Sequence, residues 1–355
     1  MDILSHRLSR TARCSEFVLI SSLLACVPET DVDESKLDAP RLLAVRAEPA
    51  EAREGERVTY TALLADATGR LDKGVLAWFQ CTARLPLSEL APISRVCLDP
   101  TSDENRKFGD GLSASASMPP NACALFGPNP PAAKQGEDPG RAVDPDATGG
   151  YKVPIMVGVR DAGRESLVVY EQRLSCNLGS APPAVSAALR TRYRNNENPE
   201  IVQFRVRRAD DSEIALASGD TLQLNAGERL RLAVELPECP ASDRCGDGIC
   251  GFDETRGDCP EDCTAPRGCG GKERYLRYDT ESRSLVTEQE SMRFAWYSTA
   301  GQLLLERTGL SADATGRISG NGYTAPDAGT DGTLFVVVRD ARGGTGFASL
   351  GVVVR

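Results

Sequence analysis

Histidine is almost missing from this chain: among 355 residues there is one, His6. Everything beyond it lacks the imidazole that a Ser-His-Asp or Cys-His arrangement needs, and that histidine-ligated zinc or iron needs. Lysine is scarce as well, with 6 lysines against 35 arginines, a bias we read as high-GC coding. A net charge of −10 leaves no cationic excess for a nucleic-acid backbone, so nucleic acid is not an expected partner. No apolar run approaches the roughly 20 residues that a membrane-crossing helix requires. Acid/base chemistry by paired carboxylates remains open in principle. The sequence places no such pair at a recognisable strand end, and the chain is read as not an enzyme.

The N-terminal region has its own pattern. Arg7, Arg10 and Arg13 precede a short apolar run, Phe17 to Ala25, which closes as Leu23-Leu24-Ala25-Cys26. A basic stretch, a brief hydrophobic run and a small residue before a cleavage point make an export signal over residues 1–25. Leu-Leu-Ala-Cys resembles the bacterial lipobox, which implies lipidation of Cys26 and a membrane partner reached through that lipid. By resemblance to Gram-negative lipoproteins, Val27 after the cysteine implies sorting to the outer membrane, on its cell-surface or its periplasmic face. Residues 26–40 are acidic and poor in apolar side chains, and read as a solvated tether.

The remainder reads as two copies of one unit, 41–178 and 199–355, with a linker at 179–198. Gly55-Glu56-Arg57 followed by VTYTALL matches Gly227-Glu228-Arg229 followed by LRLAVEL. Ala77-Trp78-Phe79 matches Ala295-Trp296-Tyr297, and Gly150-Tyr151 matches Gly322-Tyr323, each with a proline three residues on. Val159-Arg160-Asp161-Ala162 matches Val338-Arg339-Asp340-Ala341. Period-two alternation, as in Val202, Phe204 and Val206, marks half-buried strands. Many short strands punctuated by Gly and Pro predict an all-β fold of two sandwiches. One tryptophan per copy suits the buried tryptophan of immunoglobulin-type domains, and the Gly-Tyr-x-x-Pro element resembles one found in bacterial immunoglobulin-like domains. The GER-led strands carry no cysteine, so the usual inter-sheet disulfide is not expected and the tryptophans should pack on aliphatic side chains.

Spacing locates two insertions. Gly55 to Trp78 spans 23 residues against 69 from Gly227 to Trp296, while Trp78 to Tyr151 spans 73 against 27 from Trp296 to Tyr323. The first insertion, 82–147, has no periodicity and reads as an irregular Pro/Gly-rich loop. The second, 239–281, holds Cys239, Cys245, Cys250, Cys259, Cys263 and Cys269. Its centre, CGDGICGFDETRGDCPEDC, resembles a cysteine-rich module recurrent in secreted proteins of myxobacteria. An exported chain favours disulfides over zinc thiolates here, with 15 pairings open to six cysteines. Cys81, Cys97, Cys123 and Cys176 form a second even set in the first copy. Asp247, Asp253, Glu254, Asp258 and Asp262 offer oxygen ligands of the kind calcium takes, but the twelve-residue EF-hand loop is missing. A solvated acidic surface is the preferred reading, with no cofactor and with calcium as the alternative. The function expected is a lipid-anchored envelope protein, structural, adhesive or binding, whose partner is a protein or a polysaccharide. The alternatives are a periplasmic accessory subunit of an envelope assembly and, less favoured, a carboxylate-based hydrolase.

Overall fold

A computed structural model describes residues 33–91, 93–99, 101–128, 132, 135–136, 146–161, 164–239, 245, 254, 259–261 and 268–355. Cys26, Cys250, Cys263, Asp247, Asp253, Asp258 and Asp262 lie outside them. Residues from Glu34 to Arg355 form one compact unit.

Its first half runs β1 (Arg41–Glu48), β2 (Glu51–Ala52), β3 (Arg57–Asp66), β4 (Gly69–Arg70), β5 (Val75–Cys81), β6 (Asn105–Asp110), β7 (Ser113–Ser117), the short helix α1 (Ala122–Phe126), β8 (Gly150–Asp161) and β9 (Arg164–Ser175). Helix α2 (Pro183–Arg192) follows. The second half runs β10 (Gln203–Arg207), β11 (Glu213–Leu216), β12 (Thr221–Leu224), β13 (Arg229–Glu235), β14 (Arg274–Asp279), β15 (Ser284–Gln289), β16 (Met292–Ser298), β17 (Gln302–Leu303), β18 (Arg307–Leu310), β19 (Ile318–Thr324), β20 (Gly332–Asp340) and β21 (Thr345–Val354).

Each half is an immunoglobulin-like sandwich, and strand order shows it. In the first, β3 pairs β1, β4 and β7, and faces a sheet ordered β2-β9-β8-β5-β6. In the second, β11-β10-β13-β19-β17 faces β12-β21-β20-β16-β18. In both, a short strand, β2 or β12, crosses sheets to pair parallel with the last strand. The remaining ladder pairs are antiparallel. The tryptophans occupy equivalent strands, Trp78 on β5 and Trp296 on β16, at 0% and 1% exposure. Alternation drives this: Phe294 and Trp296 point into the core with Leu232, Val234, Val336 and Val338, while their strand neighbours point out.

The repeated Gly-Glu-Arg turn has a local cause. Gly55 and Gly227 sit at φ 72° and 67°, a left-handed conformation that favours glycine. The following glutamates close the turn: Glu56 accepts from the Arg53 amide at 2.8 Å, and Glu228 from the Asn225 amide at 2.9 Å. The arginine then starts the strand.

Several expectations need correction. The segment 82–147 is not simply a loop, since it contributes β6, β7 and α1, and β6 and β7 complete the two sheets. Their sequences, NRKFGD and SASAS, carry too few large apolar side chains to show a strand period. The two Gly-Tyr elements are not equivalent: Tyr151 opens β8, whereas Tyr323 ends the preceding strand type, β19. Trp78 packs beside aromatic rings, with Tyr60 and Phe108 at centroid distances of 5.9 and 6.3 Å. The insertion of the second copy extends past 281 to complete the hairpin β14–β15. The stretch read as a linker holds a ten-residue helix. The end of the stretch read as a solvated tether is docked: Leu37 is buried, its amide donates to the Ser298 carbonyl at 2.9 Å, and the Ser298 amide donates to the Ser35 carbonyl at 2.8 Å.

Candidate functional site

The two sandwiches meet along an apolar seam. A bulge at Leu43 in β1 lets Leu43 and Ala44 both face outward while Val45 and Ala47 return to the first core. Leu63 and Ala65 of β3 join them, against Phe335 and Val337 of β20. Strand β20 is therefore buried on both faces, which explains its unbroken LFVVV run. Leu37 completes the cluster, and Arg41 and Arg70 lie over the rings of Tyr297 and Phe347 at its margin.

Beside the seam is a buried polar clasp made from both sandwiches, the connecting segment and the insertion. Its centre is the Tyr193 hydroxyl, one residue past α2. That hydroxyl donates to Glu51 of β2 at 2.9 Å, and accepts from Arg173 of β9 at 3.4 Å and from Arg342 of the β20–β21 turn at 3.2 Å. Glu51 also accepts from the Asn196 amide at 2.9 Å and from Ser175 at 2.7 Å, and pairs with Arg173 Nε at 3.3 Å. Arg173 further binds Asp146 at 3.2 Å and the Thr148 hydroxyl. A Cβ at Gly150 would collide with this guanidinium, so the cradle needs glycine there.

On the other side, Arg342 donates from Nε to Glu290 at 2.9 Å and pairs with Glu273. Its guanidinium lies over the Tyr193 and Tyr275 rings, 5.7 and 4.9 Å from their centroids. Asp340 accepts from Asn196 Nδ2 at 3.0 Å and from the Gly344 amide at 2.9 Å. Asn198 ties β1 to β21, donating to the Ala47 carbonyl at 2.6 Å and accepting from the Thr345 amide at 2.9 Å.

Burial is the largest influence on Glu51, Asp146, Glu290 and Asp340, and neighbours decide the outcome. Burial works to raise Glu51, but Arg173, Arg342 and the donors around it hold its carboxyl below the usual range. Burial pushes Glu290 well up, reinforced by Asp340 and Glu51. Burial also raises Asp340, against its hydrogen-bond donors. Glu290 and Asp340 are buried near each other, so each favours the protonated form.

Helix α2 docks onto the hairpin β14–β15: Val185 and Leu189 meet Leu276, Tyr278 and Leu285. Four disulfides join described residues. Cys81–Cys97 fixes the loop after β5 across the outer face of β8, where Ile93 covers Met156. Cys123–Cys176 ties α1 to the end of β9. Cys239–Cys269 closes the base of the insertion, and Cys245–Cys259 lies within it. Among the described residues, the one grouping of metal-type ligands is Cys245, Cys259 and Glu261, and its two cysteines are joined to each other, so neither offers a thiolate. Of the calcium candidates, Glu254 alone falls within the described residues.

The clasp was not visible in the sequence, because its members are scattered from Glu51 to Arg342. The helix did leave a signal: Val185 and Leu189, four residues apart, follow Pro182-Pro183, with Arg190 and Arg192 in the last turn. No helix among the described residues is long and apolar enough to cross a membrane.

No protein-family model matches the chain, and no curated protein matches it. Among solved structures, dimeric latent PorU from Porphyromonas gingivalis is 12% identical over 90% of this chain, at a TM-score of 0.19. The chain spans 24% of that protein's length. The titin domains Z1Z2, crystallised with telethonin, are 10% identical over 90% of this chain and 98% of theirs, at a TM-score of 0.16. Dpr2 Ig1-Ig2, in complex with DIP-Theta Ig1-Ig3, is 10% identical over 89% of this chain and 99% of its own, also at 0.16. At such scores the fold assignment rests on the strand order described above: two immunoglobulin-like sandwiches in one compact body.

Proposed function

We propose that this chain is a lipid-anchored protein of a bacterial outer membrane that works as a rigid binding scaffold, without catalysis. The observation that carries the reading is the joint between the sandwiches. Flexible modular proteins separate their domains with solvated linkers, and independent domain motion is the default unless the interface is large and apolar. Here an apolar seam, a buried clasp and a docked helix hold both sandwiches in one geometry. Such a body presents its loops at fixed positions, as a scaffold or adhesin requires.

The lack of histidine beyond His6 supports the non-catalytic reading. So does the clasp itself, where the buried acids converge on Arg173 and Arg342 and on backbone amides. The LLAC sequence at 23–26 and its preceding basic and apolar stretches support the anchor. The test is metabolic labelling with radioactive palmitate, followed by membrane fractionation, for the wild type and Cys26→Ser. Label and membrane association in the wild type, both lost in the variant, are the expected outcome. An unlabelled, soluble wild type would overturn the anchor.

A further inference from the structure

The sheet β11-β10-β13-β19-β17 has its outer face on the side of the second sandwich away from the seam, which uses the opposite sheet. That face is unlike the rest of this acidic chain. Arg207 and Arg231 lie directly opposite each other on β10 and β13, and Arg229 shares the outward face of β13. Like charges in directly paired positions weaken a sheet. Neighbouring acids answer only part of this: Asp211 pairs with Arg207 at 2.9 Å, and Glu235 and Glu213 with Arg205 at 2.6 and 2.8 Å. Among the described residues, Arg229 and Arg231 have no ion-pair partner.

Next to the arginines the sheet is bare. Arg231 pairs with Gly322 and Ala233 with Gly320, so β19 carries no side chain at these two outward positions. Three exposed aliphatic side chains border these glycines: Leu305, Ile318 at the start of β19, and Leu304, which is 76% exposed and lies over Gly322. The Leu304 amide donates to the Gly322 carbonyl at 2.9 Å, which seats this wall along β19. The result is a trough of about 480 Å³ with an aliphatic wall and an arginine-rich wall, in which Glu213 is paired to Arg205, continuous through Arg207 and Arg231 with a second hollow of about 440 Å³.

We propose that this trough binds an extended segment of a partner protein in which acidic and aliphatic residues alternate. An extended chain sends successive side chains to opposite sides, so acids at every second position meet Arg229 and Arg231, with Arg207 beside Arg231, while aliphatic residues meet Leu304, Leu305 and Ile318. An anionic polysaccharide satisfies the arginines alone, and leaves the aliphatic wall without a role. Among the described residues, no aromatic ring lines the trough to stack on a sugar. This names the partner class for the scaffold reading and rests on it, but it depends on neither the lipid nor the membrane.

The probe is a fluorescein-labelled decapeptide alternating glutamate and valine, titrated into the detergent-solubilised full chain by fluorescence anisotropy. Saturable binding is expected, weakened at least tenfold by Arg231→Glu, severalfold by Arg231→Gln and severalfold by Leu304→Ser. A lysine–valine decapeptide should not bind, and alginate should displace the probe no better than sodium chloride of equal ionic strength. Shielded Trp296 fluorescence certifies folding in each variant. No binding by the wild type, equal binding by the folded variants, or displacement by alginate at lower ionic strength than the salt control would overturn the proposal. A chain that binds the peptide but fractionates as soluble would overturn the anchor and leave this site standing.

Discussion

Arg342 of the second sandwich and Glu51 of the first meet through one oxygen: the Tyr193 hydroxyl accepts from Arg342 Nη1 at 3.2 Å and donates to Glu51 Oε2 at 2.9 Å. Tyr193→Phe removes that oxygen while keeping the ring under the guanidinium. The cost should be about 1–3 kcal/mol, the range for leaving buried polar partners unsatisfied. Urea unfolding followed by tryptophan emission measures it. A variant as stable as the wild type would mean that the hydroxyl is not holding the joint.

Acidity should act on the clasp in two directions. Glu51 is depressed, so the stability it contributes is present above its ordinary value of 4.5 and is lost as pH falls through its folded value. Glu290 is raised: above pH 4.5 the unfolded chain releases a proton that the folded chain keeps, so stability declines as pH rises toward the folded value. Urea midpoints should therefore peak in mild acid. Glu290→Gln should remove much of the decline on the alkaline side, with a remainder from Asp340, which burial also raises. Parallel curves for wild type and variant between about pH 5 and 8 would contradict this.

The two disulfides of the first sandwich close loops of unequal length, with separations of 16 for Cys81–Cys97 and 53 for Cys123–Cys176. In the chain-entropy model these contribute about 3 and about 4 kcal/mol. Paired Cys→Ser substitution should thus cost more at 123/176 than at 81/97. Calorimetric melting of the two double variants decides the order, and a reversed order would show that packing of the loop over Met156 outweighs closure entropy.

Reduction should act first on the insertion. No strand of the second sandwich contains cysteine, so Trp296 should remain shielded after mild reduction while protease cuts between Cys245 and Cys269. The base is tied to the clasp, however, since the Cys269 amide donates to Glu273 at 2.7 Å and the Glu200 amide to the Gly270 carbonyl at 2.7 Å. Opening Cys239–Cys269 should therefore loosen the joint before the core. Loss of Trp296 shielding in the same step as cutting would rule out an independent core.

What the sequence disclosed followed from periodicity. Strands with large apolar residues at every second position, such as β13 and β16, and the Gly-Glu-Arg turns that precede β3 and β13 were legible because local chemistry dictates them. Strands β6 and β7 were not, because small and polar residues at Asn105–Asp110 and Ser113–Ser117 become strands only through pairing with β5 and β3. The Gly-Tyr match misled for a related reason: Tyr151 donates to the Asn177 carbonyl and Tyr323 to the Ala300 carbonyl, so similar residues serve different strand ends. The clasp stayed hidden because Glu51, Arg173, Tyr193, Glu290 and Arg342 are ordinary surface-type residues until the tertiary fold buries them together.

The docking of Ser35–Leu37 on Ser298 also has a mechanical meaning. The chain touches the second sandwich at β16 before it builds the first, with Glu34 paired to Arg307 at 3.0 Å. Tension applied at Glu34 therefore enters both sandwiches almost at once, one through the Ser298 contacts and the other through the covalent path into β1. A string of independent beads would yield one bead at a time. Under such tension this body should resist as a unit until the Ser35–Leu37 strip peels from Ser298, which would make that strip its mechanical fuse.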